Sequence, residues 1–153
     1  MTRQHAFCAF AALLAVVVLG TSGCTVPTQR TPVAMASEDP EALAGTWSLV
    51  TLEGQPATAS PQGRRPTLRF DPETMRVSGF AGVNQFGGAY EAAAGTLKFA
   101  PLIMTKMAGP PEQMDLERRY SRALEATTGW RLAQDHLELL AGESVVARLA
   151  RNE

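Results

Sequence analysis

The chain has 153 residues, 45% of them hydrophobic, and a formal net charge of −1, a composition that fits one globular domain. So small a net charge excludes proteins that bind nucleic acid or an anionic membrane over a wide surface. Both cysteines, Cys8 and Cys24, lie near the N-terminus, so the remaining chain has no disulfide, no thiolate metal site and no cysteine nucleophile. We therefore expect its stability to come from hydrophobic burial.

The N-terminal residues have the three parts of a secretory signal. Residues 1–5 carry Arg3 and no acid, residues 6–19 form an uninterrupted apolar run, and residues 20–23 are small and polar. The apolar run has 14 residues, whereas a helix that spans a bilayer needs about 20. We therefore expect residues 1–23 to be a signal peptide that is removed.

The position of Cys24 predicts where this signal is cut. Residues 21–23 directly precede Cys24, and the arrangement resembles the lipobox of bacterial lipoproteins, in which the cysteine is acylated and becomes the mature N-terminus. Thr21 departs from that pattern, which usually has an aliphatic residue there. An ordinary small-x-small cleavage site lies at residues 34–36, much farther from the apolar run. A free thiol at Cys24 would be an unpaired cysteine in an oxidising compartment. We predict that Cys24 is acylated and that the acyl chain binds the membrane.

Residues 24–41 are predicted to be a flexible tether. They contain three prolines among Thr, Ser, Gln and acidic residues, and such a composition cannot bury enough apolar surface to offset its ordering entropy. As a flexible coil the segment has a reach of about 20 to 25 Å. It would hold a single domain, residues 42–153, close to a lipid surface.

The domain begins with short runs of alternating apolar and polar residues, separated by turn residues, which predict antiparallel strands. In one of these runs Met75 and Val77 are expected to face inward. Turns are expected at residues 53–54, 71–73, near 95 and at 135–136. The predicted strands are residues 46–52, 67–70, 75–80, 88–92 and 97–99, followed by a three-strand meander within residues 130–149.

One segment has a helical period instead. Leu116, Tyr120, Ala123 and Leu124 follow the spacing i, i+4, i+7, i+8 and therefore lie on one helical face. A lone amphipathic helix needs one apolar surface to cover. The sequence therefore predicts a mainly β (α+β) fold, in which a strongly curved antiparallel sheet or partly open β-barrel of about eight strands packs against one α-helix.

The glycine-rich stretch of residues 78–90 is not a phosphate-binding loop. Its glycines do not have the spacing of a dinucleotide-binding fingerprint or a Walker loop, and no helix follows it closely. Ser78 does not lie in the G-x-S-x-G motif of a catalytic nucleophile. Glycine within strands marks a bulge, a bend or a close backbone approach, and we interpret these glycines in that way. For Asn84 we favour a hydrogen bond within its own turn or a positive φ over a ligand contact.

A series of short motifs runs across residues 43–150, and its structural-motif residues are Trp47, Gly79, Gly82, Asn84, Gly88, Tyr90, Thr105 and Met107. In order and spacing these motifs resemble the META domain family of HslJ-like heat-shock lipoproteins. The resemblance implies a curved sheet or barrel packed on a helix, in envelope proteins linked to heat or antibiotic stress. No catalytic residues are established for that family, so the resemblance transfers none.

Two positions depart from the family pattern. The family commonly has cysteine where this chain has Val83, and again where it has Gly109. Since both are absent together, the resemblance implies that the two cysteines work as a pair in other members. No thiol or disulfide role remains at these positions here.

Few residues suit catalysis or metal binding. His136, the one histidine outside the signal, is expected in a hairpin turn, as a solvated residue. The acids Glu53, Asp71, Glu91 and Glu117 are each explained by a turn or a solvated face, and Glu117 alternates with arginines on the helix. We therefore predict no enzyme activity, no metal site and no cofactor.

These features predict a lipid-anchored envelope protein with a non-catalytic binding domain that supports stress tolerance or envelope integrity. Thr25 is not the aspartate that commonly retains such proteins in the inner membrane, so we expect the outer membrane, facing the periplasm. The partner would be an envelope protein. The alternative is a carrier of a small apolar ligand in a lipocalin-like barrel. Met104, Met107 and Met114 are interpreted as core filling in preference to an adaptable groove.

Overall fold

The computed structural model describes residues 39–60 and 63–152. In this part of the chain eight strands form an antiparallel barrel, two short strands extend it, and one α-helix covers one end. This confirms the predicted fold. The elements are a 3-10 turn at Pro40–Leu43, β1 Gly45–Leu52, β2 Gln55–Pro56, β3 Thr67–Asp71, β4 Arg76–Phe80, β5 Gln85–Ala93, β6 Thr96–Phe99, β7 Ile103–Met104, α1 Pro111–Glu125, β8 Gly129–Ala133, β9 His136–Ala141 and β10 Ser144–Arg151.

The barrel closes where β1 pairs with β10. The strands follow the order β10-β9-β8-β6-β5-β4-β3-β1, and at the seam Leu49 of β1 lies opposite Leu149 of β10. The two extra strands lie outside this path, since β2 pairs with β1 and β7 pairs with β5. No helix in the described ranges is long and apolar enough to cross a membrane.

Antiparallel pairing gives the barrel two distinct ends. The chain enters at the end that holds the 3-10 turn and the turns after β3, β5 and β8, which we call the tether end. The opposite end, the helix end, holds residues 81–84, residues 100–110 and the start of α1. The two ends are therefore separated by the length of the barrel strands.

Large side chains fill the barrel interior. Trp47, Phe70 and Trp130 are buried inside it, and the Phe70 and Tyr90 rings meet edge to face with centroids 5.0 Å apart. The predicted apolar face of α1 is confirmed, because Leu116, Tyr120, Ala123 and Leu124 are all buried. Each large apolar side chain buried in this way stabilises the fold by about 1.5 to 3 kcal/mol.

A clamp around Trp47 fixes the start of the domain at the tether end. The Trp47 indole Nε1 donates to the Leu43 carbonyl at 2.8 Å, and Leu43 is completely buried. The guanidinium of Arg151 lies 4.5 Å from the centre of the Trp47 ring and donates to the Ala42 and Ala44 carbonyls. The entering chain is thus held against the last barrel strand.

An ion-pair triad lies on the outer face of β8, β9 and β10. The Glu138 carboxylate accepts hydrogen bonds from both Arg131 and Arg148, and only 2% of its side chain is exposed. Burial raises the pKa of Glu138, but the two arginine side chains lower it more, so the net pKa lies below the ordinary value. The triad therefore ties three neighbouring strands together with one ionised carboxylate.

Two local predictions were wrong. Met75 does not face inward from a strand. It occupies the β3–β4 turn with φ of 52°, 40% of it is exposed, and β4 begins at Arg76.

His136 is not in a turn, because Gln134 takes the left-handed conformation with φ of 58° and His136 already begins β9. In both hairpins a residue other than glycine adopts a positive φ, and composition does not reveal that.

Gly79→Ala should destabilise the barrel strongly. A Cβ added at Gly79 would lie 2.1 Å from the Thr67 carbonyl oxygen and 2.5 Å from Phe86 Cζ. Since β4 cannot move away from a backbone atom of β3 without losing pairs, we expect the free energy of unfolding to fall by about 3 kcal/mol. Urea denaturation followed by far-ultraviolet circular dichroism measures the change.

Gly87→Ala is the matched control, because a Cβ there would meet its nearest atom, the Val77 carbonyl oxygen, at an ordinary 3.5 Å. We expect this variant to change the free energy of unfolding by less than about 1 kcal/mol. Equal effects of the two substitutions would contradict the close approach at Gly79.

Candidate functional site

The motif residues predicted from the sequence fall into separate places in the fold. Trp47 lies in the clamp at the tether end, Gly79 and Gly88 lie in the barrel wall, and Tyr90 lies in the core. The structure brings four of them together at the helix end, namely Gly82, Asn84, Thr105 and Met107. The predicted lipidation site Cys24 is outside the described residues.

Gly88 and Tyr90 serve the packing of the barrel wall and core. A Cβ at Gly88 would lie 2.8 Å from Leu102 Cδ2, so glycine allows the segment after β6 to pack on β5. The Tyr90 ring packs against Phe70, and burial raises the pKa of its phenol, with a smaller contribution from the Asp71 carboxylate. Both residues position the wall and core of the barrel.

The side chain of Asn84 uses its whole hydrogen-bonding capacity. Its Oδ1 accepts from the Thr105 hydroxyl at 2.8 Å and from the Met107 backbone N–H at 2.7 Å. Its Nδ2 donates to the Met107 carbonyl at 3.1 Å and to Glu117 Oε1 at 2.8 Å. An amide has two donors and two acceptor lone pairs, so none remains for a ligand. The prediction of a local turn bond was wrong, because these partners lie on distant segments.

Glu117 completes this network from α1. Its Oε2 accepts the backbone N–H groups of Val83 at 3.1 Å and Asn84 at 2.7 Å, and the residue is only 8% exposed. The prediction of a solvated face for Glu117 was therefore wrong. A signal was present, since Glu117 precedes Tyr120 and Leu124 by three and seven residues and shares their face. We call Asn84, Thr105, Met107 and Glu117 the junction.

The two positions where the family commonly has cysteine face each other beside the junction. A Cβ added at Gly109 would lie 3.3 Å from the Val83 Cβ and 2.5 Å from its Cγ2. Cβ atoms of a disulfide are usually about 3.5 to 4.5 Å apart. The geometry therefore agrees with the expectation that cysteines at these positions act as a pair, and here the contact is made by the Val83 methyl groups.

An open cleft of about 270 Å³ adjoins the junction, and we call it the junction cleft. Residues 82–83 and 108–110 line it, together with Ser60, Arg64 and Phe80. Gln113 of α1 also lines it, and this residue is 6% exposed. The junction therefore lies next to two of the segments that line the cleft, residues 82–83 and 108–110.

The described residues that line the junction cleft include hydrogen-bonding groups and one cation. Among them the polar side chains are Arg64, Ser60 and Gln113, and none is a histidine, cysteine or carboxylate that could act as a base. In residues 39–60 and 63–152, no three His, Cys, Asp or Glu side chains lie close enough together to hold a metal ion.

A larger cleft lies between residues 55–58 and the start of α1. Its volume is about 480 Å³, and its charged residues are Glu112, Asp115 and Arg119. Arg119 pairs with Glu53 at 2.9 Å and Asp115 pairs with Arg118 at 2.9 Å. Asp115 and Arg119 are therefore already paired within the protein, and Glu112 is the charged residue of this cleft that has no ion-pair partner in the described part of the chain.

The methionines near the helix have different environments. Met104 packs against the core, and Met114 is half-buried. Met107 is 56% exposed, so its interpretation as core filling was wrong, and the neighbouring Ile103 is 81% exposed. It is the backbone of Met107 that carries its structural role, through both bonds to Asn84.

Glu117→Gln should weaken the junction. A glutamine has one acceptor oxygen, so either the two backbone N–H donors or the Asn84 amide loses its partner, and Asn84 cannot turn over without breaking its bonds to residues 105 and 107. We expect a loss of about 1 to 3 kcal/mol in the free energy of unfolding, measured in urea. Glu125→Gln, exposed on the same helix, should change it by less than about 0.5 kcal/mol. Equal losses would contradict the role of Glu117.

The double variant Val83→Cys/Gly109→Cys should form a disulfide under air oxidation. Closing the loop between these positions should stabilise the oxidised form by up to about 3 to 4 kcal/mol over the reduced form, as the unfolded chain is restricted. Thiol titration in denaturant and melting curves with and without dithiothreitol measure both effects. Free thiols at residues 83 and 109 that persist after oxidation would contradict the geometry.

The comparisons with known proteins identify the family. The model of the META domain matches residues 41–153. An NMR structure of a protein from Burkholderia xenovorans is 27% identical with a TM-score of 0.58, and the match covers 73% of this chain and 85% of that chain.

Two further solved structures share the fold, and both are below 25% identity. A second protein solved by NMR has 23% identity and a TM-score of 0.58, with 74% of this chain and 94% of that chain covered. A DUF4847 family protein from Bacteroides vulgatus has 13% identity and a TM-score of 0.50, with 72% and 94% covered. No curated protein gives a significant match. From the family match over residues 41–153, the chain belongs to the META domain family.

Proposed function

We propose that this protein is a lipid-anchored envelope protein whose META domain acts by binding and supports envelope integrity under stress. The signal-like residues 1–23 and the position of Cys24 support the anchor. The family resemblance supports the link to envelope stress, and Thr25 supports the outer membrane facing the periplasm.

The observation that carries the proposal is the separation of chain entry and cleft. The chain enters the domain at the tether end, where the Trp47 clamp holds it, and the junction cleft lies at the helix end. The cleft therefore lies at the opposite end of the barrel from residue 39, where the described part of the chain begins. This arrangement suits a domain that must remain accessible to soluble or envelope partners.

Binding is favoured over catalysis by the chemistry of the helix end. No catalytic residues are established for the META domain family, and the polar side chains of the junction are occupied by one another. The described lining of the junction cleft supplies hydrogen-bonding groups and a cation, and no histidine, cysteine or carboxylate among these residues could act as a general base.

The alternative, a carrier of a small apolar ligand, is compatible with the barrel fold. In this barrel, however, large side chains fill the interior. Their exposed fractions are 1% for Trp47, 2% for Phe70 and 1% for Leu124. A carried ligand would then occupy an open cleft on the surface of the barrel. The filled interior favours the first proposal.

Cys24→Ser should release the protein from the membrane. We expect the wild-type protein to fractionate with membranes and to incorporate an alkyne-labelled fatty acid, whereas the variant should lose both properties, because a hydroxyl at residue 24 cannot take part in lipobox processing. Cys8→Ser is the matched control, since Cys8 lies within the predicted signal, and it should keep both. Label retained on Cys24→Ser, or lost equally in both variants, would contradict the anchor.

A further inference from the structure

The charges of the domain are unevenly distributed along the described chain. Residues 63–107 carry six cations and three acids, a net charge of +3, whereas the other described residues carry six cations and ten acids, a net charge of −4. The cations of the first group are Arg64, Arg65, Arg69, Arg76, Lys98 and Lys106. The small net charge of the whole chain therefore conceals one basic part, which contains β3 to β7.

The strand register places a row of these residues on the outside of the barrel. Arg69 of β3 lies opposite Ser78 of β4. Gly87 of β5 lies opposite both Ser78 and Ile103, the first residue of β7. Residues opposite each other across strands share a face of the sheet. The neighbours of Arg69 and Gly87 along their own strands are buried, so this row faces outward.

Two more cations lie on the same outer surface. Arg76 of β4 lies opposite Ala89 of β5, and Lys98 of β6 lies opposite Glu91 of β5. Residues 87, 89 and 91 alternate along β5 and therefore share one face. We call the outer surface of β3 to β7, with residues 64–65 just before β3 and residues 106–107 just after β7, the basic face.

The cations of the basic face form no ion pairs within the described ranges. The ion pairs found there involve arginines of α1, β8 and β10. On the basic face, Asp71 and Glu91 lie opposite cations in the strand register and weaken the positive potential without forming ion pairs. The Asp71 carboxylate accepts the backbone N–H groups of Glu73 and Thr74 instead. The face keeps an excess of three positive charges.

The exposed large apolar side chains of the described residues belong to the same part of the chain. They are Met75, Ile103 and Met107, with exposed fractions of 40%, 81% and 56%. Single exposed apolar residues are ordinary, but here residues 92–111 contain no acid. They contain the two lysines of the chain, Lys98 and Lys106, one on each side of Ile103. Apolar side chains and cations are thus combined on one surface.

This combination fits the surface of an anionic bilayer. Lipid phosphates attract lysine and arginine, and a protruding apolar side chain enters the boundary between headgroups and acyl chains without needing a shaped pocket. Protein interfaces are usually anchored by tryptophan or tyrosine. The exposed large apolar side chains of the basic face include no aromatic residue, which favours lipid over an acidic protein.

We propose that the basic face binds the surface of a bilayer that contains anionic phospholipids, with Lys98 and Lys106 at the headgroups and Ile103 and Met107 in the acyl boundary. The contact is narrow, whereas the small net charge excludes binding over a wide surface. It is made by the folded domain and does not depend on the acyl anchor, so it goes beyond the proposed function. A tether with a reach of about 20 to 25 Å permits both contacts at once.

The test follows a fluorescent label on the basic face of the full-length protein. In a Cys8→Ser/Cys24→Ser background, Ala89→Cys carries an environment-sensitive nitrobenzoxadiazole label, since Ala89 is exposed on this face. The protein is reconstituted from detergent into vesicles of phosphatidylcholine alone or of phosphatidylcholine mixed equally with phosphatidylglycerol. We expect the emission to rise with phosphatidylglycerol and to fall back in high salt, which screens the headgroup charge.

The same label at Ser144→Cys is the positional control. Ser144 is exposed at the start of β10, which lies across the barrel from β5 in the strand order. Its emission should not depend on the lipid composition. An equal rise at residues 89 and 144 would show adsorption without a preferred face and would overturn the proposal.

Charge variants separate the basic face from the net charge. Lys98→Gln/Lys106→Gln should lower the binding constant for the anionic vesicle surface about twentyfold, since each cation contributes about fivefold. Lys98→Arg/Lys106→Arg should retain the response. Arg118→Gln/Arg122→Gln removes the same charge from exposed positions of α1 and should leave the binding constant unchanged.

Ile103→Ser tests the apolar part of the contact. Because Ile103 is 81% exposed, the variant should keep the circular dichroism spectrum and the urea midpoint of the parent protein. We expect the binding constant to fall about tenfold, because an apolar side chain no longer leaves water.

The proposal is overturned by equal emission from residue 89 in both kinds of vesicle, by equal effects of the lysine and arginine double variants to glutamine, or by an unchanged response in Ile103→Ser. Emission that rises with soluble polyglutamate and not with lipid would assign the face to an acidic protein and overturn the lipid contact. These measurements use protein without either cysteine, so they are independent of the Cys24→Ser fractionation that tests the anchor.

Discussion

The helix end of the barrel depends on one fully bonded amide. Asn84 receives two hydrogen bonds and donates two, which tie residues 81–84 to residues 105–107 and to the carboxylate of Glu117 on α1. Aspartate at this position would lack the donors and would face Glu117 as a like charge, and glutamine is one methylene longer. Because the Asn84 and Glu117 side chains in this network are buried, their hydrogen bonds strengthen one another, and loss of one partner leaves the others unsatisfied.

This constraint separates scaffold from binding surface. The junction residues use their hydrogen-bonding capacity inside the protein, whereas Ser60, Arg64 and Gln113, which are not among the motif residues, line the adjoining cleft. The motif by which the family is recognised therefore describes how the cleft is built. The polar side chains that line the cleft lie outside the motif, so fold membership alone does not give a ligand.

The barrel and the helix face could be predicted because a buried face imposes a period on the sequence, of 2 in a strand and 3.6 in a helix. Strands β2 and β7 have two residues each, too few to show a period. The helical period places Glu117 on the buried face of α1, but the burial of Glu138 could not be derived in this way. A buried charge is stable only with partners, and those of Glu138 come from β8 and β10, whose neighbourhood exists only after the barrel forms.

The placement of the clamp and the junction at opposite ends has a mechanical consequence. A pull on the chain before residue 39 acts first on Leu43 and Trp47, and Arg151 transfers it to β10, which pairs with β1 and β9 along the barrel. The load is therefore borne by backbone ladders at the tether end. The junction shares no hydrogen bond with the clamp, so the cleft can keep its geometry while the point of attachment moves.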